Sequence, residues 1–422
     1  MLWMIYILFS GFLYVWTLKS IHYDSAVPRT GYFLGMILLA AFMTVIFITD
    51  KRKRIKKGIF IAAVFMNFGL SIGYRCWEGE TDPETAPGIF DGYTGDLLLM
   101  IAVFLIVFLI VRYTRIYKFR VCNLLLLIVL PVVVYGARIS GQKVNGSYLY
   151  FAGMMIFGLV LMGFPFAAAY IVSRREDRYM GNKPSVRKLP WNLMGLLLYT
   201  FVLYGGCVVC NEFGLLLILG LTTTVLFMIR CKNGVTKLLY TAACAGGALI
   251  AGFKISHLSE RIQIWMDPVQ AYQDAELAEK AESVLYLFRH IYQMGWWGKG
   301  IGSLPRSLYP TLNTDHALLT LLNDYSALIL IAVLVLGILF VRWLLIQPDG
   351  LCVYDQYLNL TCGLIVGFMI LVDAASCFGS FITAGIGFPW ISEGSSVNIM
   401  LTVLMAVHCG LLGKKVKVDD QA

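Results

Sequence analysis

Charge is scarce in this sequence. Only 14% of its 422 residues are Asp, Glu, Lys or Arg and 59% are hydrophobic. A soluble globular domain carries about a quarter of charged residues, so an ordinary soluble globule is excluded. Histidine is scarce too, with five residues scattered along the chain, and no His/Cys cluster has zinc-site spacing. The ten cysteines lie mostly inside apolar runs, where a thiol behaves as a small core residue. Cys207-Val-Val-Cys210 has redox-like spacing without a thioredoxin-like context around it. Long polar stretches are missing as well, apart from one interval at 254–316; no large soluble domain is left.

What is present is a series of apolar runs. A membrane helix needs roughly 17–25 apolar residues to cross about 30 Å at about 1.5 Å per residue. The qualifying runs are 2–18, 31–49, 58–74, 95–112, 121–137, 148–172, 191–209, 213–230, 238–253, 317–343, 357–375 and 396–413. The first is short and N-terminal, but no basic leader and no small-residue cleavage site precede Lys19, so it reads as a spanning helix. The expectation is an all-α, polytopic integral membrane protein of about 12 transmembrane helices.

Charge asymmetry orients them, because Lys and Arg are retained on the cytoplasmic side of short loops. Segments 51–57, 112–120, 174–188 and 230–237, Arg342 and the tail 414–417 hold 23 of the 34 basic residues, and six of the remainder lie in 254–316. Both termini are therefore expected in the cytoplasm and the long loop outside. The net charge of +9 sits on cytoplasmic loops, where anionic lipid headgroups account for it. Membrane lipids are the expected partner of this charge, and nucleic acid is not.

The informative residues gather in the expected outer loops. "SHLSERIQIWMDP" (256–268) sets Arg261 and Trp265 before an Asp267-Pro268 turn. In 274–294, Leu277, Val284, Leu287, Phe288 and Ile291 recur at helical spacing, which predicts an amphipathic helix lying at the interface or covering helix ends. "GWWGKGIG" (295–302) lacks the spacing and the strand-to-helix context of a P-loop. Its Gly298, Gly300 and Gly302 allow backbone N–H groups to approach a surface or ligand closely, with Lys299 and Arg306 supplying positive charge.

Asp315 stands at the start of the apolar run 317–343, where it could cap a helix or act as a base. Asp324 falls nine residues further on, about 13 Å along a continuous helix and near the bilayer midplane. A carboxylate there costs about 2.5–3.5 kcal/mol on insertion scales, which makes it either a functional acid or one paired with a neighbour. The stretch "AGIGFPWISEGSS" (384–396) is too rich in Gly and Pro for regular helix and offers Ser392, Glu393, Ser395 and Ser396. Irregular backbone at this depth belongs in protein or beside a wet cavity, so it reads as a site rim.

At these residues the sequence resembles the SEDS family (FtsW/RodA/SpoVE). Family members carry a stretch like "GGLFGKGLG…LPEAHTDFIFAVIGEELG", against "MGWWGKGIG…YPTLNTDHALLTLLNDYS" here, and "TGIPLPFISYGGSS", against "AGIGFPWISEGSS". Two weaker matches are "PDLG" with Asn211-Glu212-Phe213-Gly214, and "R…FLDP" with Arg261 through Met266-Asp267-Pro268. The matches keep family order over roughly residues 140–413, with the strong motifs after 254. There are departures. "NGARRW" survives only as Asn145-Gly146, the "QPSE…K" stretch is an apolar run around 154–162, the Glu-Glu pair is Asn323-Asp324, and the tyrosine of "ISYGG" is Glu393.

The resemblance implies a ten-helix core at 58–413 that includes the large loop 254–316. An N-terminal hairpin with its basic loop, 1–57, is extra to that core, and a basic tail follows at 414–422. It implies a bacterial cytoplasmic membrane protein that polymerises lipid II, an undecaprenyl-diphosphate-linked disaccharide peptide, alongside a class B penicillin-binding protein. Asp315 falls on the catalytic aspartate of that family. Lys299, Arg306 and Arg261 are the bases available to the leaving diphosphate, with a divalent cation (Mg2+ or Mn2+) as a further source of positive charge. The departures keep two other readings open: a non-catalytic scaffold for a transpeptidase, and a flippase for lipid-linked sugars in which Asp324 matters more than Asp315.

Overall fold

A computed structural model of the chain describes residues 2–21, 27–50, 53–75, 93–140, 143–144, 147–151, 154–173, 191–303, 312–348 and 350–413. Among them the chain is almost entirely helical: α1 (Leu2–Leu18), α2 (Val27–Thr49), α3 (Lys53–Tyr74), α4 (Tyr93–Tyr113), α5 (Arg120–Ser140), α6 (Ile156–Ser173), α7 (Trp191–Cys210), α8 (Phe213–Arg230) and α9 (Gly234–Lys254) come first. The short α10 (Ser256–Met266), α11 (Pro268–Gln273), α12 (Ala278–Met294) and α13 (Ala317–Asp324) follow, then α14 (Ala327–Leu344), α15 (Val353–Cys377) and α16 (Ser395–Gly413). Eleven of these are long and apolar enough to cross a membrane, and α1 is apolar but only 17 residues long. The chain is a multi-pass, all-α membrane protein.

Two expected spans change. The run 148–172 becomes helix only from Ile156, because Ser147–Tyr148 pairs with Lys143–Val144 and Tyr150–Phe151 pairs with Met154–Met155 as two-residue antiparallel strands. The run 317–343 breaks into α13 and α14 at Tyr325-Ser326. In an unbroken helix the Ala327 N–H would bond the Asn323 carbonyl. Instead Ala327 N donates to the Trp296 carbonyl at 2.9 Å, and the Asn323 carbonyl accepts from Lys299 N at 2.7 Å and Gly300 N at 3.2 Å. The glycine turn takes both partners of one helical bond, and the helix stops there.

The chain divides into two compact units. One holds residues 1–103, 261–343 and 369–399 and contains every candidate site residue that the structure describes. Within it α1 and α2 both lie against α3. The Asp267 carboxylate accepts from Gln270 N at 2.9 Å and Pro268 occupies the first turn of α11, so the Asp-Pro pair starts a helix. Ile264, Ala271, Leu277 and Ala281 then bury against one another with Val284 beside them. As expected, α12 is amphipathic: Leu287 is buried, while Tyr292 lies exposed on the other face. Phe288 sits where a side chain on Gly379 would be, so α12 covers the residues just after α15. The other unit holds 104–260, 344–368 and 400–422. There α5, α6, α7 and α8 pack in sequence, and Cys207 and Cys210 are buried free thiols.

Candidate functional site

The site is built from two loops far apart in sequence. The first is the turn Leu312–His316, which leads into α13; Thr320 Oγ1 ties it back by donating to the Leu312 carbonyl at 2.9 Å. The second is the irregular stretch between α15 and α16. Its shape is set by Ser392, whose hydroxyl accepts from Phe388 N at 2.7 Å, and by Asn398, whose amide accepts from Trp390 N at 3.1 Å and donates to the Ser392 carbonyl at 3.0 Å. Trp390, fully buried, is held at φ 58, a left-handed conformation that a bulky residue adopts only when its surroundings impose it.

Two hydrogen bonds lock these loops together. Glu393 N donates to the Asn313 carbonyl at 2.7 Å, and Asn313 Nδ2 donates to Glu393 Oε1 at 3.1 Å. A Cβ on Gly387 would come within 3.0 Å of the Thr314 carbonyl, so the close approach needs glycine there.

Asp315 is half-buried at this junction. The N-cap of α13 is His316, and its side chain makes no capping bond. Capping by Asp315, the structural role open to it in sequence, is therefore not the role it plays. Burial raises its carboxyl above the usual carboxylate range, opposed by the Arg261 charge and a hydrogen bond from Thr314. Arg261, on α10, is itself anchored by donation to the Thr383 carbonyl at 2.6 Å. Burial holds His316 down to about 4, so at neutral pH it is an uncharged ring.

Behind Asp315 lie residues that were not singled out in sequence. Cys377, the last residue of α15, places Sγ 3.5 Å from the Asp315 carbonyl oxygen, 3.9 Å from His316 Nδ1 and 3.9 Å from Asp373 Oδ1. Asp373 is fully buried, and its Oδ2 has no hydrogen-bond partner among the described residues. The sequence signal for it is an acid inside the apolar run "ILVDAAS", the same argument that drew attention to Asp324.

The other predicted residues are placed elsewhere or used otherwise. Asp324 does not lie along a continuous spanning helix; it ends α13 and pairs with Arg75 at 2.5 Å, both side chains buried. The helix that was expected to carry Asp324 is thus broken beside it, and its carboxylate has a neighbouring partner. The glycine turn wraps this same end of α13. Gly298 has φ 68, and a Cβ there would meet the Asn323 carbonyl at 2.5 Å. Gly298 and Gly300 therefore bring the turn against the chain's own backbone. Gly302 shares a positive φ of 79. Lys299 is exposed, with its backbone bound to Asn323, about 12 Å of helix from Asp315. Ser395 opens α16 and Ser396 is half-buried beside it. Arg306, Asn145 and Gly146 lie outside the described residues. Among the described residues no three of His, Cys, Asp and Glu could hold a metal ion. Mg2+ or Mn2+ needs several hard oxygens, so this chain's described side chains do not build a resident site.

No family model matches the chain. In sequence it is similar to the probable peptidoglycan glycosyltransferase FtsW of Pseudoalteromonas translucida, with 24% identity over 260 residues, 58% of this chain and 60% of that protein. The match thus spans less than two thirds of that relative's length. In structure it is similar to a chain from a peptidoglycan synthase complex described as coordinating polymerization and crosslinking, with TM-score 0.61 and 15% identity over 84% of this chain and 96% of that one. It is also similar to a variant of the rod shape determining protein RodA of Thermus thermophilus, with TM-score 0.54 and 14% identity over 84% and 95% of the two chains. At such identities the structures speak for the fold alone. Taken together, the chain is similar in fold to RodA and to a chain of a peptidoglycan synthase complex, and similar in sequence to FtsW.

Proposed function

We propose that this chain is a peptidoglycan glycosyltransferase that polymerises lipid II at the outer face of a bacterial cytoplasmic membrane, with Asp315 as general base. The observation that carries the reading is the junction of the two loops, which holds an uncapped, half-buried Asp315 between Arg261 and Thr314. Chain growth joins a sugar 4-hydroxyl oxygen to an anomeric carbon as the bond from that carbon to the lipid diphosphate oxygen breaks. The hydroxyl proton goes to the Asp315 carboxylate and the bonding pair leaves with the diphosphate. A positioned base contributes about 10²–10⁴-fold to such a step. Burial helps, because a carboxylate that holds protons more tightly than usual is a stronger base at neutral pH.

Arg261 is the cation nearest this chemistry. Its guanidinium offers several N–H donors in a planar fork, and its charge acts on Asp315, so it could also stabilise charge gathering on a diphosphate oxygen. Lys299 and Arg306 serve the approach of the lipid headgroup. Both termini lie in the cytoplasm by the charge rule, and a class B penicillin-binding protein is the partner. The scaffold reading is favoured by one observation: Asp324, at the position of the family's Glu-Glu pair, is closed off by Arg75.

Incubating purified lipid II with the detergent-solubilised chain, its cognate class B partner and divalent cation tests the reading, with Asp315→Ala alongside. Glycan strands from the wild type and none from the variant are expected. Strands that persist in Asp315→Ala would remove Asp315 from the mechanism, and no strands from folded, partner-bound wild type would leave the scaffold reading.

A further inference from the structure

Arg75 follows the last turn of α3 and is 2% exposed. A buried guanidinium needs both a counter-charge and acceptors for its remaining donors. Here Nη1 donates to Asp324 Oδ2 at 2.5 Å and Nη2 to Asn313 Oδ1 at 3.2 Å. One side chain therefore holds both ends of the segment that carries Asp315: Asn313, two residues before it, and Asp324, at the far end of α13. Asn313 passes the hold on through its two bonds with Glu393, and Asp324 is further fixed by Asn323 Nδ2 at 3.0 Å. One turn earlier on α3, Ser71 hydrogen-bonds the hydroxyl of Tyr325, the residue after Asp324. An eight-residue helix flanked by breaks has no regular structure of its own to fix its position, so its placement comes from these contacts.

We propose that Arg75 is the positioning residue of the Asp315 site: it acts through Asn313 and Asp324 to hold the 312–324 segment, and through Glu393 to hold the second loop against it. This goes beyond the polymerase reading and rests on it only for the activity readout. Arg75 was not distinguished in sequence, where it stands as a lone basic residue after an apolar run. Asp324, its direct partner, and Glu393, reached through Asn313, are two of the positions at which the chain departs from the family motifs, and Arg75 supplies the charge that satisfies the first of them. Those departures therefore form one connected network.

Amide hydrogen exchange by mass spectrometry over 312–324 tests the proposal in the full-length chain with its partner, alongside melting temperature and polymerisation kinetics. Arg75→Lys retains a cation for Asp324 but has no fork to reach Asn313 as well. It is expected to melt like the wild type, exchange faster at 312–316 and lose kcat with KM nearly unchanged. The pair Arg75→Met with Asp324→Leu replaces the buried ion pair by apolar groups, a change commonly neutral for stability. It is expected to keep the melting temperature and still lose about a hundredfold in kcat, the scale of a misplaced catalytic group. Activity restored along with stability in the double variant would reduce Arg75 to a stability role and overturn the proposal. Wild-type exchange at 312–316 in Arg75→Lys would overturn it too, even if the double variant fails to fold. A wild type that makes no glycan strands would defeat the polymerase reading alone, because the exchange result still judges Arg75.

Discussion

Asp315 gathers most of the consequences at the scale of single residues. Burial raises its carboxyl above the usual range, while Arg261 and Thr314 pull it down. A base must be ionised to accept a proton, so if Asp315 is the base, as proposed, activity is expected above the raised pKa and should be lost as pH falls through it. The acidic limb of the kcat/KM profile should therefore lie above the ordinary aspartate value of about 3.9. Thr314→Val removes a lowering contact and should move that limb to higher pH without abolishing turnover; an unmoved limb would separate Thr314 from the base. His316, held down to about 4, should add no limb near 6.5. A profile with a histidine-like step would mean that this ring is wetter than its burial implies. Asp315 was singled out in sequence by a short motif. Asp373 and Arg75 were not, since a lone charge beside an apolar run does not say whom it meets.

At the scale of elements, the break between α13 and α14 is the feature the hydrophobic pattern concealed. Residues 317–343 are apolar almost throughout, and periodicity alone reads them as one helix. The break depends on a turn well upstream, at Trp296–Gly300, that takes over the Asn323 carbonyl and the Ala327 N–H. This makes the glycines of that turn unequal. A Cβ on Gly298 would strike the Asn323 and Leu322 carbonyls at 2.5 and 2.8 Å, whereas one on Gly300 meets nothing within 4 Å. Both have positive φ, so Gly300→Ala should carry only backbone strain, about 1–2 kcal/mol. Gly298→Ala adds a backbone clash that no rotamer relieves. Melting of the two purified variants checks this, and equal losses would mean that the turn does not lie against α13.

At the scale of the whole molecule, the N-terminal hairpin joins the unit that carries the site. Thr17 of α1 bonds Ser71 of α3 at 2.8 Å, Ser71 bonds Tyr325, and Trp16 packs edge-on against the Tyr325 ring. Thr17→Val and Tyr325→Phe should each cost about 0.5–1.5 kcal/mol. In a double-mutant cycle they should couple, because they share one chain of hydrogen bonds; simple additivity would show that the chain is not continuous. Orientation is a prediction at this scale too. With Trp297→Cys, a membrane-impermeant maleimide should label intact cells above the parental background, and with Lys57→Cys only permeabilised ones. The reverse pattern would invert the topology and put the site on the cytoplasmic side.

Sequence alone determined the solvent. A chain with so little charge and so many apolar runs buries its backbone in helices across a bilayer, because unpaired peptide groups are too costly in hydrocarbon. It also determined which loops are irregular, since glycine and proline disfavour regular helix. Tertiary structure alone decided how those loops meet. That Asn313 reaches Glu393, that Arg75 spans Asn313 and Asp324, and that Asp373 stands behind Asp315 are consequences of helix packing. Side chains separated by tens to hundreds of residues were brought within hydrogen-bond distance by helices whose own residues show no sign of the pairing.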